Sequence, residues 1–393
     1  MMKKIMFSLV CVAFVAVFIT PVKATAFATT EDENEKQIIE HIDERLDEID
    51  LSELERYYEE NVNFESFSNS SLKDIIYSVI IGEMTLNFED IINLIFSSIS
   101  IEIESVIKLI TLIVVIAGFG SFSEMLQSEK NKSGVGKVTS LIILTAVLTV
   151  VATIIADFVN ETIGFLNSMR EVSEVVFPVL ISLVVALGGA NASLKIQPAI
   201  VFLTGGVTNI ISSLTIFAVE LYFVLSVIGE LTDNLKLDRM KSLVSSIFKW
   251  GVGLVFTVFM GYMTLNGIIA SGRDGLTIKT AKYALKNYIP MVGGYISDSY
   301  ELFRVGSELI KNSIGVVGVV VIFGMAIKRV LSLGVYKMGF MLASGITEPL
   351  GTNKISRFLS SLSTLLNFLI VGIVASFLMI IITIFILMSI VGV

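Results

Sequence analysis

Glu220 is the residue whose type and setting first invite chemistry. It is the single charge in the 32-residue apolar run from Pro198 to Gly229. A carboxylate at the centre of a bilayer is costly unless it is paired, protonated or turned to water. The chemistry on offer is therefore proton or cation coupling, or the polar lining of a pore. The plainer reading is a carboxylate near a helix end, or one protonated and hydrogen-bonded inside a bundle. Asn209, Asn266 and Asp157 add polar groups to neighbouring runs, where hydrogen bonding between helices is their commoner role. The sequence offers little else that reacts. It holds one cysteine, Cys11, and one histidine, His41. No Cys/His zinc site, thiol dyad or disulfide can be built from these within one chain. Ser133-Gly134-Val135-Gly136-Lys137 looks like the end of a phosphate loop but fails. Asn131 stands where that loop needs glycine, and Val138 stands where it needs Ser or Thr. No catalytic, metal or cofactor site is expected, and an energy source must be a gradient or a separate ATPase.

The elements that would position these residues follow from composition. Of 393 residues, 54% are hydrophobic and 16% charged, with a mean hydropathy of +0.83. A water-facing surface of this size needs more charge, so a soluble globular enzyme is excluded, and so is disorder over most of the chain. The expected class is all-α: a polytopic helical membrane protein. Apolar stretches at 106–122, 138–156, 175–190, 198–229, 247–270, 314–327 and 358–393 give about seven spans, with a range of six to eight. Two segments leave the count open. The run 198–229 is long for one untilted span and short for two. The Gly-rich run 333–350 could be a short or re-entrant helix.

Before the spans lie two other regions. Residues 1–28 read as a signal peptide. Lys3 and Lys4 precede an apolar run, Pro21 breaks it, and Ala24-Thr25-Ala26 and Ala26-Phe27-Ala28 are small-x-small cleavage candidates. Cys11 is an apolar filler of that run. Residues 29–104 form an acidic region with 4 basic and 21 acidic residues. In it Ile38, Ile42, Leu46 and Ile49 share a helical face, and Leu51, Leu54 and Tyr58 share a second one. Both fit a solvated acidic helix pair or a docking arm for another protein. Apolar stripes at 72–80 and 91–99 suggest helices lying at the membrane interface or packed on the bundle. Such a charge balance gives no support to nucleic-acid binding.

Loop charge orients the bundle. A cleaved signal places 29–104 outside and Lys130, Lys132 and Lys137 inside, as the positive-inside rule expects. With seven spans, however, 328–357 falls outside although it carries Lys328, Arg329, Lys337, Lys354 and Arg357 against Glu348. An extra crossing near 198–229 or at 333–350 shifts this conflict without settling it.

The most distinctive segment is 272–312. A basic amphipathic stretch runs through Ala281-Lys282-Tyr283-Ala284-Leu285-Lys286 to Pro290, a Gly293-Gly294 turn follows, and Ser297 or Asp298 could cap the next helix. Helix breaks of this kind often line cavities or gates in membrane proteins, and a connecting loop is the plain alternative. Frequent glycines, among them Gly188-Gly189, Gly205-Gly206, Gly315 and Gly318, let helices approach closely in a tight bundle or an oligomer.

The stretch Tyr288-Ile289-Pro290-Met291-Val292-Gly293-Gly294-Tyr295-Ile296-Ser297-Asp298 resembles the stage III sporulation protein AE family of endospore-forming bacteria. So does the later Glu348-Pro349-Leu350-Gly351 turn. The order of signal peptide, acidic region, spans and apolar C-terminus agrees with the family. The resemblance implies a multi-pass protein of the mother-cell membrane around the forespore, with membrane lipid as its solvent. It implies partners from the same operon, among them the stage III sporulation protein AA ATPase, and stage II sporulation protein Q on the forespore side. Together they would form a secretion-like channel that sustains late forespore gene expression. The family brings no catalytic residues. Three readings follow: a non-enzymatic channel subunit, a stand-alone transporter using Glu220 as its coupling acid, and a membrane scaffold without a pore.

Overall fold

The computed structural model describes residues 42, 46, 49, 51–61, 71–81, 88–125, 135–187, 189–232, 235–270 and 293–390. The regular elements among them are all helical. Two short helices come first, α1 (Ser52–Asn61) and α2 (Leu72–Ile81). Then follow α3 (Phe88–Met125), α4 (Val135–Ala186) and α5 (Ala190–Val201). A π-helical turn, Phe202–Val207, leads into α6 (Thr208–Leu231), α7 (Asp238–Ala270), α8 (Gly293–Thr347) and α9 (Asn353–Ser389). Among the described residues, 6 helices (α3, α4, α6, α7, α8 and α9) are long and apolar enough to cross a membrane. The chain is an all-α polytopic membrane protein.

The count differs from seven because the stretches 138–156 and 175–190 lie on one helix. By sequence the intervening 160–174, with Glu161, Glu171 and Glu174 against Arg170, reads as an outside loop, but its charges lie on one side of a helix only. Phe158, Thr162, Leu166, Met169, Ser173 and Val176 are buried at helical spacing, so the segment packs as a helix and α4 continues through 52 residues. In the same way 314–327 and 333–350 join in α8. Lys328 and Arg329 do not interrupt it, because Leu333, Phe340, Ala343 and Thr347 carry its buried stripe onward. The stripe at 91–99 is the first part of α3 rather than a separate helix. The run 198–229 is neither one plain span nor two. It is interrupted at Gly205-Gly206, where the Thr208 hydroxyl donates 3.0 Å to the Leu203 carbonyl five residues back and holds the wide turn.

The α8–α9 hairpin is the centre of the bundle. α3 and α4 pack on α8, and α6 and α7 pack on α9. Lipid tails are as apolar as leucine, so close approach holds these helices together rather than exclusion from water. Glycines mark the tight crossings. A Cβ on Gly372 of α9 would meet the Thr215 hydroxyl of α6 at 2.5 Å, and one on Gly318 of α8 would meet Val176 of α4 at 3.2 Å. A Cβ on Gly339 would collide with Val106 of α3.

α2 opens with a capping box. The Ser71 main-chain N–H and hydroxyl donate to the Asp74 carboxylate at 2.9 and 2.8 Å, and Asp74 N–H returns 3.2 Å to the Ser71 hydroxyl. Leu72, Ile75, Ile76, Val79 and Ile80 form its buried face. α1 buries Leu54, Tyr57 and Tyr58, and Ile42 and Leu46 enter the same core. Both short helices rest on α8, and α1 also rests on α4. The apolar faces of this acidic region thus cover the bundle, while Glu53 and Glu59 stay exposed.

Candidate functional site

Charged and polar side chains cross-link the long helices at a few defined points. Arg329 of α8 pairs with the Glu161 carboxylate of α4, donates 3.2 Å to the Phe158 carbonyl, and sits 5.7 Å from the centre of the Phe158 ring. Tyr336 meets the same ring edge-on at 4.6 Å. One turn away, the Ser332 hydroxyl donates 2.8 Å to Glu102 of α3. These contacts make one polar patch where α3, α4 and α8 meet. The Tyr57 hydroxyl of α1 donates to Glu171 farther along α4. Burial first, then that carboxylate, pushes the Tyr57 hydroxyl above its ordinary pKa. Burial alone pushes Tyr58 up to about 12.

A second cluster lies at one end of the bundle. Arg357, at the start of α9, pairs at 3.1 Å with Glu230 near the end of α6, whose side chain is buried. The α6–α7 and α8–α9 corners therefore meet. Lys236, Arg239, Lys241, Lys354 and Arg357 all belong to that end. α3 runs parallel to α8, since Glu102 meets Ser332 and Val106 meets Gly339. Its C-terminus, which precedes Lys130, Lys132 and Lys137, points to the same end.

The residues singled out from sequence are not brought together. Glu220 lies near the middle of α6 on its outer, exposed face, between exposed Phe217 and Val224. It does not enter the interior of the bundle. Asn209 is on the exposed side of the first turn of α6, and Asn266 is in the last part of α7. Gly293, Gly294 and Asp298 belong to the first turns of α8. Pro290 and the basic stretch before it lie outside the described residues. Glu348, Pro349 and Gly351 form the α8–α9 corner. Gly351 takes φ +79° there, and its N–H donates 3.1 Å to the Glu348 carbonyl. That is a helix-stop turn of the kind glycine favours, and it explains the motif by geometry. Among the described residues no group of His, Cys, Asp and Glu could hold a metal ion.

Lys249 is absent from the sequence reading and stands out in the structure. It is exposed on α7, beside Trp250, which is 80% exposed. The available signal was the isolation of the charge: Lys249 is the single charged residue between Lys241 and Arg273. Lys311 was overlooked too. It is fully buried on α8 and donates to the end of α9. Only helix partners, which periodicity does not reveal, make it notable.

The sequence profile described as stage III sporulation protein AE matches residues 70–391. The chain belongs to the stage III sporulation protein AE family. The stage III sporulation protein AE of Bacillus subtilis (strain 168) is 25% identical over 297 residues, covering 75% of this chain and 73% of that protein. No solved structure matches. For a member of the stage III sporulation protein AE family, the match covers α2 through α9 and begins just after α1. It includes both the α3–α4–α8 polar patch and the Arg357–Glu230 contact between the α6–α7 and α8–α9 corners. The family and its sporulation setting are thereby given, and with them a place among sporulation partners.

Proposed function

We propose that this chain is a non-enzymatic membrane subunit of the channel complex that links mother cell and forespore. Its partners would be the other stage III sporulation A-operon proteins, with the AA ATPase as energy source, and stage II sporulation protein Q across the gap. The observation that carries the reading is the family match over 70–391 on a chain with 6 membrane-length helices. The lack of a phosphate loop in the sequence fits a subunit driven by a separate ATPase.

Orientation follows from the bundle. Six crossings bring the α3–α4, α6–α7 and α8–α9 corners to one end, where Lys236, Arg239, Lys241, Lys354 and Arg357 gather. Positive residues favour the cytoplasmic side, so this end would face the mother-cell cytoplasm. α1 and α2 would then lie toward the intermembrane space, with exposed Glu53 and Glu59 available to partner rings. The interior of the described bundle is filled by large side chains. Phe177, Phe340, Phe358 and Leu362 are all fully buried. This packing favours a conducting path between subunits over one through a single copy.

Gene deletion in the spore-forming host tests the reading. Loss of heat-resistant spores and of late forespore reporter activity, with normal vegetative growth, is expected. Normal sporulation would overturn it. The transporter reading draws less support, because Glu220 faces outward rather than into a cavity. It would gain ground if the purified chain alone carried out uptake in vesicles and Glu220→Gln abolished it.

A further inference from the structure

The short turn between α6 and α7 carries cations that no described acid balances. The membrane-length part of α6 ends at Leu231, and that of α7 begins at Asp238. At about 1.5 Å per residue both exceed the ~30 Å hydrocarbon layer, so the turn sits at headgroup level. The acids described at this turn are already engaged. Glu230 pairs with Arg357 at 3.1 Å, and Asp238 pairs with Lys241 at 3.0 Å. Lys236 and Arg239 are left over. Both are exposed, and neither has a hydrogen bond or an ion pair among the described residues. A Cβ on Gly229 would lie 3.8 Å from Leu237, so the turn folds back onto the end of α6 and keeps both charges close to the bundle.

Beneath Arg239 the same side of α7 is apolar. Arg239, Leu243, Ile247, Trp250 and Leu254 follow one another at steps of four, four, three and four, which sets them on one side of the helix. All five are exposed, Trp250 by 80%. The side thus runs from a cationic head at the membrane surface to an apolar track along the hydrocarbon. An arginine so placed rests its stem on the track and keeps its guanidinium among the headgroups. A second copy inserted the same way would bring the same surplus of cations to the same depth, and like charges oppose that contact. A phospholipid of net negative charge matches both the cations and the track.

We propose that the start of α7 binds an anionic phospholipid. Lys236 and Arg239 hold the phosphate of its headgroup, and an acyl chain lies along Leu243, Ile247, Trp250 and Leu254. The guanidinium fork matches two phosphate oxygens at once, and the lysine adds a point charge beside it. Each Lys or Arg near a membrane surface raises its attraction for anionic headgroups by about fivefold. The proposal depends on membrane insertion of α6 and α7. It does not depend on the sporulation role or on which compartment the turn faces.

The full-length protein, purified in mild detergent and offered equal amounts of phosphatidylglycerol and phosphatidylcholine with the same acyl chains, tests it. Native mass spectrometry reads the ratio of the two lipids retained. The wild type is expected to retain phosphatidylglycerol in preference by about tenfold or more. Lys236→Gln combined with Arg239→Gln should bring that ratio close to unity, and since both residues are exposed and unpaired the variant should fold as the wild type does. Lys195→Gln removes a charge near the opposite end of the bundle, where Gly189 approaches Ile390, and should leave the ratio unchanged. Inorganic phosphate should not displace the lipid, because it makes no contact with the apolar track. Equal retention of the two lipids, or an unaltered ratio in the double variant, would overturn the proposal. An equal loss in Lys195→Gln would do so as well, by showing attraction to net charge rather than to this site. Displacement by inorganic phosphate would assign the cations to a free anion instead. Self-association without retained lipid would assign the face to a second copy.

Discussion

The buried Lys311 ammonium donates a 2.5 Å hydrogen bond to the main-chain carbonyl of Ile390, the residue that closes α9. A cation at a helix C-terminus meets both unsatisfied carbonyls and the negative end of the helix dipole. The contact ties the N-terminal third of α8 to the far end of its own hairpin partner. Lys311→Met keeps an unbranched side chain one atom shorter and removes the donor. It should cost about 2 kcal/mol and free the C-terminus first. Thermal unfolding in detergent, together with protease cleavage near residue 390, would register the change. An unchanged melting point and an unchanged cleavage pattern would remove Lys311 from the account.

The Arg329–Glu161 pair should show a graded response. Arg329→Ala removes the ion pair, the hydrogen bond to the Phe158 carbonyl and the stacking on the Phe158 ring. It should cost about 2–4 kcal/mol. Arg329→Lys retains only the charge and should fall between. Glu161→Gln should be mildest, because Glu161 is 57% exposed and the amide can still accept a hydrogen bond. Melting temperatures of the three variants would check the order.

Gly351 permits the corner between α8 and α9. A side chain at φ +79° is strained whatever the space around it, and nothing lies within 4 Å of an added Cβ. Gly351→Ala should therefore destabilise by about 1 kcal/mol through backbone strain alone. Gly351→Asn should recover part of that loss, since asparagine tolerates this conformation better. Denaturation of the two variants would separate strain from crowding.

Alkali should loosen α1. The Tyr58 hydroxyl is pushed up to about 12 in the folded chain from 10.0 by burial. The folded state thus prefers the neutral phenol. Its contribution is intact below pH 10.0 and is lost as pH rises toward about 12. Tyr57 shifts in the same direction. Hydrogen exchange of α1 should rise across this window, and Tyr58→Phe should flatten the rise.

Class and apolar runs were legible in the sequence because hydropathy and length define membrane-spanning helices. Chain breaks were harder to read. The charges at 160–174 read as a loop, yet Phe158, Leu166 and Met169 share a face and keep α4 intact. Glu220 was visible as an isolated acid, but a helix face cannot be assigned to bundle or exterior until its neighbours are known. Phe368, on another helix, packs on Tyr222, and that contact turns the side of α6 bearing Glu220 outward. The Glu348–Gly351 corner was recognisable because glycine and proline report backbone geometry directly. The ties of Arg329, Arg357 and Lys311 join residues 168, 127 and 79 positions apart, beyond the reach of any local pattern.

The uninterrupted length of α4 has a consequence for how this chain can vary. Glu161 is fixed against Arg329, and Val176 is fixed against Gly318. Both contacts lie on the same two rods. Removing or adding one residue between positions 161 and 176 would turn everything beyond it by about 100° and carry Val176 off the Gly318 crossing. Substitutions can be absorbed there, but insertions and deletions cannot. Relatives that keep this bundle should therefore preserve the spacing between these two contacts while their residues drift.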